Sequence, residues 1–248
     1  MFNWGTGKLV PPNNTTTMLL ETMTKNEVLN ELKRIDSWLA DRKPGIMKKY
    51  ERLFKPKNAK DRMLGVSEYT TPCSNKVHVV WSTAVRGIVW LEFAFYVELE
   101  TPNGKAYVKA LFNTRDGRCI TDACVYTAHA IQRLKERQGI DFKQLMELEY
   151  KESRSLYFTL PYTYKGKESL ATPFGVVGLW VTVMGKWGLT YVTYVSRGLC
   201  GVEQLESMYV ARKTIEQYQN EKDEYVTKDG NNCLSGLSRK QRRLYAPR

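Results

Sequence analysis

Hydrophobic positions change period several times along the chain, and each change marks an element. Val28, Leu29, Leu32, Ile35, Trp38 and Leu39 recur at helical spacing. Thr24-Lys25-Asn26-Glu27 precedes them as a capping box, with a Glu three residues after the Thr cap. Pro44-Gly45 predicts that this helix has ended, because the residue before a proline is held out of the helical region. From residue 76 the period drops to two. Val77, Val79 and Trp81 alternate with His78, Val80 and Ser82, which predicts a strand. In such a run His78 reads as a satisfied sheet residue. Residues 87–100, GIVWLEFAFYVELE, are rich in branched and aromatic side chains and predict a long strand. Pro102-Asn103-Gly104 predicts a tight turn and 105–112 its return strand. Asp116-Gly117 predicts a second turn and 118–126 a third strand, which makes a three-stranded antiparallel meander.

The period returns to helical over 126–140, YTAHAIQRLKERQGI, where Gly139 supplies the stop. Asp141 caps a second helix that runs to about residue 153. Residues 154–174 are irregular and predict a loop or a short edge strand. Val176–Met184 and Leu189–Ser196 flank Gly185-Lys186-Trp187-Gly188, which predicts a hairpin. Leu205, Met208, Tyr209, Arg212, Ile215 and Tyr218 predict a last helix over 202–222. The expected fold is α+β: an antiparallel sheet of meander plus C-terminal hairpin, with helices packed on one side. The expected organisation is an arm and helical, basic extension over 1–66, a core domain over 67–226, and a basic disordered tail over 227–248.

Charge adds a partner class. The net charge is +12 and the sequence pI about 9.4. That favours anionic partners, nucleic acid before a membrane surface or an acidic protein. A generally basic protein without such a partner has the same composition. Lys48, Lys49, Arg52, Lys55 and Lys57 sit among Tyr50 and Phe54. Basic residues interleaved with aromatics can track a nucleic-acid backbone, and they equally suit a short surface helix broken at Pro56. The five cysteines are odd in number and lack both a CxxC and zinc-like spacing. Scattered thiols suit the cytoplasm. The first residues lack a secretory pattern, and no apolar run approaches the roughly 18 residues that span a bilayer. The expectation is therefore a cytoplasmic protein with no metal, no cofactor and no membrane partner.

The standard catalytic signatures are absent: no phosphate loop, no dinucleotide fingerprint, no zinc-hydrolase helix and no nucleophile elbow. Gly5-Thr6-Gly7-Lys8 is too short for a phosphate loop, and Cys200, in RGLCGV, has no partner histidine in view. The chain has two histidines, and one lies in the helical stretch at 126–140. His129, Arg133 and Arg137 are four apart and share one stripe, with Ala128, Ile131 and Leu134 roughly opposite. Metal-free RNA cleavage by the 2′-OH needs an acid and base near neutral pKa and cations for the phosphorane charge. Histidine suits the first two roles and arginine the third. The later hairpin offers Thr193, Tyr191 or Tyr194, Ser196 and Arg197 to complete a pocket, with Arg197 also on the nucleic-acid path. Strand alternation puts Tyr191, Thr193 and Val195 on one face and Val192, Tyr194 and Ser196 on the other. The plain alternative is an amphipathic helix with a solvated basic face.

The AHAxxRxxxR helix, the Gly139-Ile140 that follows, the second helix and the late TYVTYVS strand resemble the barnase–EndoU–colicin–RelE-like group of toxin and nuclease folds. The resemblance covers about residues 126–197. It implies a metal-independent ribonuclease of toxin type, with His129 as acid/base, Arg133 and Arg137 on the phosphate, and RNA in preference to DNA as the partner. The other class that the chain fits is a non-catalytic nucleic-acid-binding or assembly protein of a phage or mobile element. An antitoxin or assembly protein would be the second partner.

Overall fold

The computed structural model describes residues 18–54, 62–86, 88–113, 119–152, 160–164, 166–174, 178–202, 204–206, 209–210 and 213. The chain enters through helix α1 (Lys25–Ala40), the short helix α2 (Lys43–Lys49) and a 3-10 turn at Glu51–Phe54. Strands β1 (Arg62–Thr70), β2 (Lys76–Arg86), β3 (Ile88–Thr101), β4 (Gly104–Asn113) and β5 (Cys119–Tyr126) follow. Helices α3 (Ala128–Gln138) and α4 (Phe142–Glu152) come next. The chain then returns through β6 (Leu160–Tyr164), β7 (Lys167–Phe174), β8 (Gly178–Met184) and β9 (Gly188–Ser196). Among the described residues the nine strands form one sheet, ordered β1-β2-β3-β4-β5-β9-β8-β7-β6. Every neighbouring pair is antiparallel except β5 and β9, which run parallel and join the two halves. Among the described residues no helix is long and apolar enough to cross a membrane.

Helices cover both faces of this sheet, not one. The cause is visible in β3 and β4, which are apolar on alternate positions in both directions. Phe93, Phe95, Val97, Leu99, Val108 and Ala110 point to one face and pack with Val28, Leu32, Ile35 and Leu39 of α1. Tyr96 and Tyr107 point to the other and pack with Ala130 and Leu134 of α3 and Phe142, Leu145 and Met146 of α4. A half-covered sheet would leave one of these sets in water. Full burial of each large aliphatic or aromatic side chain contributes roughly 1.5–3 kcal/mol, so both faces need a lid.

The helical N-terminal part is not an extension. The boundary at residue 66 cuts through β1, and α1 supplies one side of the core. α1 begins as the capping box predicts, with Glu27 N–H donating to Thr24 Oγ1 and Glu27 Oε2 accepting from Thr24 N–H at 2.7 Å. A buried polar cluster fixes it further. Asn75 Oδ1 accepts from the Leu19 amide at 2.7 Å, Asn75 Nδ2 donates to Glu31 at 3.0 Å, and Arg34 pairs with the same carboxylate. Residues 160–174 are two paired strands where the sequence left a choice between loop and edge strand. Residues 1–17, 55–60, the tail 227–248 and most of the expected helix over 202–222 lie outside the described residues.

Candidate functional site

The first core is left open at one edge, and a cleft of about 760 Å³ lies there. Its floor is apolar: Leu99, Ala106, Val125 and Trp187. The rim carries Thr101 and Asn103 from the β3–β4 turn, His129 and Gln132 from α3, and Lys186 and Thr190 from the β8–β9 turn and the strand after it. Glu21 closes the N-terminal side.

Local structure holds each wall in place. Thr127 is the N-cap of α3, its Oγ1 accepting from the Ala130 amide at 3.1 Å. The Thr127 amide also donates to the Tyr191 carbonyl at 3.1 Å, so the helix start is tied to β9. His129 therefore sits in the first turn, exposed at the cleft. Gly188 opens β9 at φ +143°, and a Cβ there would come 2.2 Å from the Ala123 carbonyl, so the parallel β5–β9 junction requires glycine. Just before it, Trp187 Nε1 donates to the Met23 carbonyl at 2.8 Å and Lys186 Nζ to the Thr22 carbonyl at 2.9 Å. These two bonds hold the turn at residues 20–23 against the β8–β9 turn. Trp187 is 4% exposed, so it gives the cleft hydrocarbon rather than a hydrogen-bond donor.

The five residues of the expected catalytic set do not meet. His129 reaches the cleft, but Arg133 turns along its own helix to pair with Glu136 at 2.7 Å. Arg137 donates to the backbone carbonyl of Tyr194, where it ties α3 to β9. Tyr191 is 4% exposed and stacks on Tyr126 with centroids 4.2 Å apart; burial pushes its hydroxyl well above the usual tyrosine range. Thr193 is also buried. The strand alternation that offered Tyr191 and Thr193 as one face is broken by a bulge opposite Val181 and Thr182. Across it, Tyr191 and Tyr194 share one face, and Val192 and Val195 the other.

The expected nucleic-acid residues are dispersed as well. Lys48, Lys49 and Arg52 are exposed on α2 and the turn after it. They follow the C-terminal end of α1, while the cleft lies at its N-terminal end, roughly 24 Å away along a 16-residue helix. Arg197 is exposed at the far end of β9 from the cleft. Lys55 and Lys57 lie outside the described residues. His78 is a sheet residue as expected, its Nε2 2.8 Å from Glu98.

Sequence reasoning missed a buried charge centre on the opposite face. Glu149 of α4 is 3% exposed; the hydroxyls of Tyr96 and Tyr126 donate to it, and Lys109 Nζ lies 2.8 Å away. Burial, and after it the Glu149 charge, push the Tyr126 hydroxyl far above its ordinary value. Burial likewise drives the neighbouring Cys124 thiol up to about 12. The signal was present: Glu149 follows Phe142, Leu145 and Met146 on the apolar stripe of α4, and Lys109 interrupts an apolar strand. Among the described residues no group of three or more His, Cys, Asp or Glu could hold a metal ion. No family model, curated protein or solved structure matches the chain.

Proposed function

We propose that the protein binds RNA, taking the backbone at the cleft before α3. The observation that supports this most directly is His129, exposed in the first turn of α3 on the rim of the same cleft as Lys186. Two side chains able to carry positive charge face one carboxylate, Glu21, across that opening, in a chain of net charge +12. First-turn amides and cationic side chains together favour an anion such as a phosphodiester.

Metal-independent cleavage is the second reading, and His129 favours it specifically. An imidazole open to a ligand can move the proton of a 2′-OH or of a leaving oxygen. The dispersal of Arg133 and Arg137 removes the cations first expected to neutralise the phosphorane, so binding takes precedence. Fluorescence anisotropy with a labelled single-stranded RNA, and cleavage of the same RNA in EDTA, separate the two. Wild type should bind, and His129→Ala should bind roughly ten- to a hundredfold more weakly, as for one lost charged hydrogen bond. Cleavage by wild type that His129→Ala abolishes would establish the enzyme. Unchanged affinity in His129→Ala would remove the cleft as the binding site.

A further inference from the structure

We infer that the cleft accepts a single unpaired nucleotide, base inward, so that the protein discriminates single-stranded RNA from duplex. This rests on the RNA-binding reading above and names what enters the site. The cleft is two-natured. Its floor of Leu99, Ala106, Val125 and Trp187 has no charged group, while its rim carries His129, Lys186 and the exposed Asn103. A phosphate alone would be served by the rim and would leave most of the opening unfilled. A volume of about 760 Å³ falls in the range that encloses a small organic ligand and is far more than a phosphate needs.

An unpaired base matches both parts. Its faces are poorly hydrated and gain by leaving water against hydrocarbon, and its edge carries donors and acceptors for an amide such as Asn103. Its attached phosphate remains outside, level with His129 and Lys186. Trp187, nearly buried and with its N–H bonded to the Met23 carbonyl, backs the cleft, and the half-buried Val125 and Ala128 give the base its apolar contact without a preference for one edge. A duplex cannot use this floor, because its bases are stacked inside and only sugar, phosphate and groove edges are presented. His129 and Lys186, on a rim that also carries Glu21, give the phosphate partners that an uncharged aromatic of the same size would leave unused.

Three labelled probes test this on the full chain at one salt concentration: a single-stranded RNA, its duplex, and the same single strand with abasic positions. The expected result is roughly tenfold tighter binding of the intact single strand than of either other probe, the scale of one base contact. Ala128→Trp, which places a large ring at the mouth of the cleft, should remove the preference for the intact over the abasic strand. Equal binding of intact and abasic strands would overturn the inference and leave RNA binding standing. A preference that survives in folded Ala128→Trp would also overturn it. Failure of wild type to bind any probe would overturn the RNA reading itself and this inference with it. The abasic comparison needs no variant, so the outcome does not depend on whether Ala128→Trp folds.

Discussion

Glu98 shows how one residue converts strand position into a pH response. It lies on β3 with His78 Nε2 at 2.8 Å and Lys105 Nζ at 3.1 Å. Burial raises the pKa of its carboxyl, but the hydrogen bonds from His78 and Lys105 outweigh that and hold it below 4.5. A carboxylate depressed in the folded state contributes stability that is fully present above its unfolded pKa. That contribution is lost as pH falls through the lower folded value. Urea midpoints measured through an acid series should therefore drop below pH 4.5 in wild type, and Glu98→Gln should show a shallower drop. Parallel acid curves for the two would show that Glu98 contributes no linkage. Residue identity alone made His78 readable as a satisfied sheet histidine, because an alternating apolar run leaves it a polar neighbour across the strands. Arg137 was unreadable in the same way. Its partner is a backbone carbonyl 57 residues later, and backbone acceptors carry no sequence signature.

Elements divide by how far their partners lie along the chain. α1 and α3 were legible because their signals are local: the Thr24–Glu27 capping box of α1, and in α3 the helical period closed by Gly139 at φ 66°; the Thr127 cap of α3 went unread. α4 was legible as a helix but not as the carrier of a buried charge. Glu149 gathers Tyr96, Tyr126 and Lys109 from three strands, and that convergence exists only once the sheet is assembled. Removing Glu149 takes one shared carboxylate from two buried hydroxyls and an ammonium at once. Glu149→Ala should destabilise the fold by about 3–5 kcal/mol in chemical denaturation, the usual scale for breaking a buried pair. Glu149→Leu combined with Lys109→Met should recover much of that loss, since no buried charge remains. A loss under ~1 kcal/mol for Glu149→Ala would mean that water reaches the site. The bulge in β9 was illegible for a different reason. TYVTYVS alternates in either register, so one extra residue changes which face Thr193 occupies without changing the pattern.

At the scale of the whole molecule, the sheet has two halves joined by one parallel contact between β5 and β9. The cleft lies beside that junction, where the β3–β4 turn, the start of α3 and the β8–β9 turn converge. Charge is a property of this scale too. With net charge +12, RNA affinity should fall linearly with salt on logarithmic axes, with a slope of about −0.7 per phosphate neutralised on a single strand. Anisotropy titrations from low to physiological salt measure it, and a flat line would argue against electrostatic binding altogether. If the exposed Lys48, Lys49 and Arg52 carry a second stretch of the strand, neutralising them together should reduce that slope. The single-strand preference assigned to the cleft should remain.

The amino-acid sequence alone determined the order and type of most described elements, the α+β class and the basic character. These follow from period, caps and turns, which act over a few residues. It also singled out His129 as the imidazole most open to a ligand. Only the tertiary structure decided that helices cover both faces, that α1 packs into the core, and that His129 shares a cleft with Lys186 rather than with Arg133 and Arg137. Those outcomes depend on which strands meet and in what register. That choice is made by burying two apolar faces at once across separations of up to 164 residues, a distance over which local pattern carries no information.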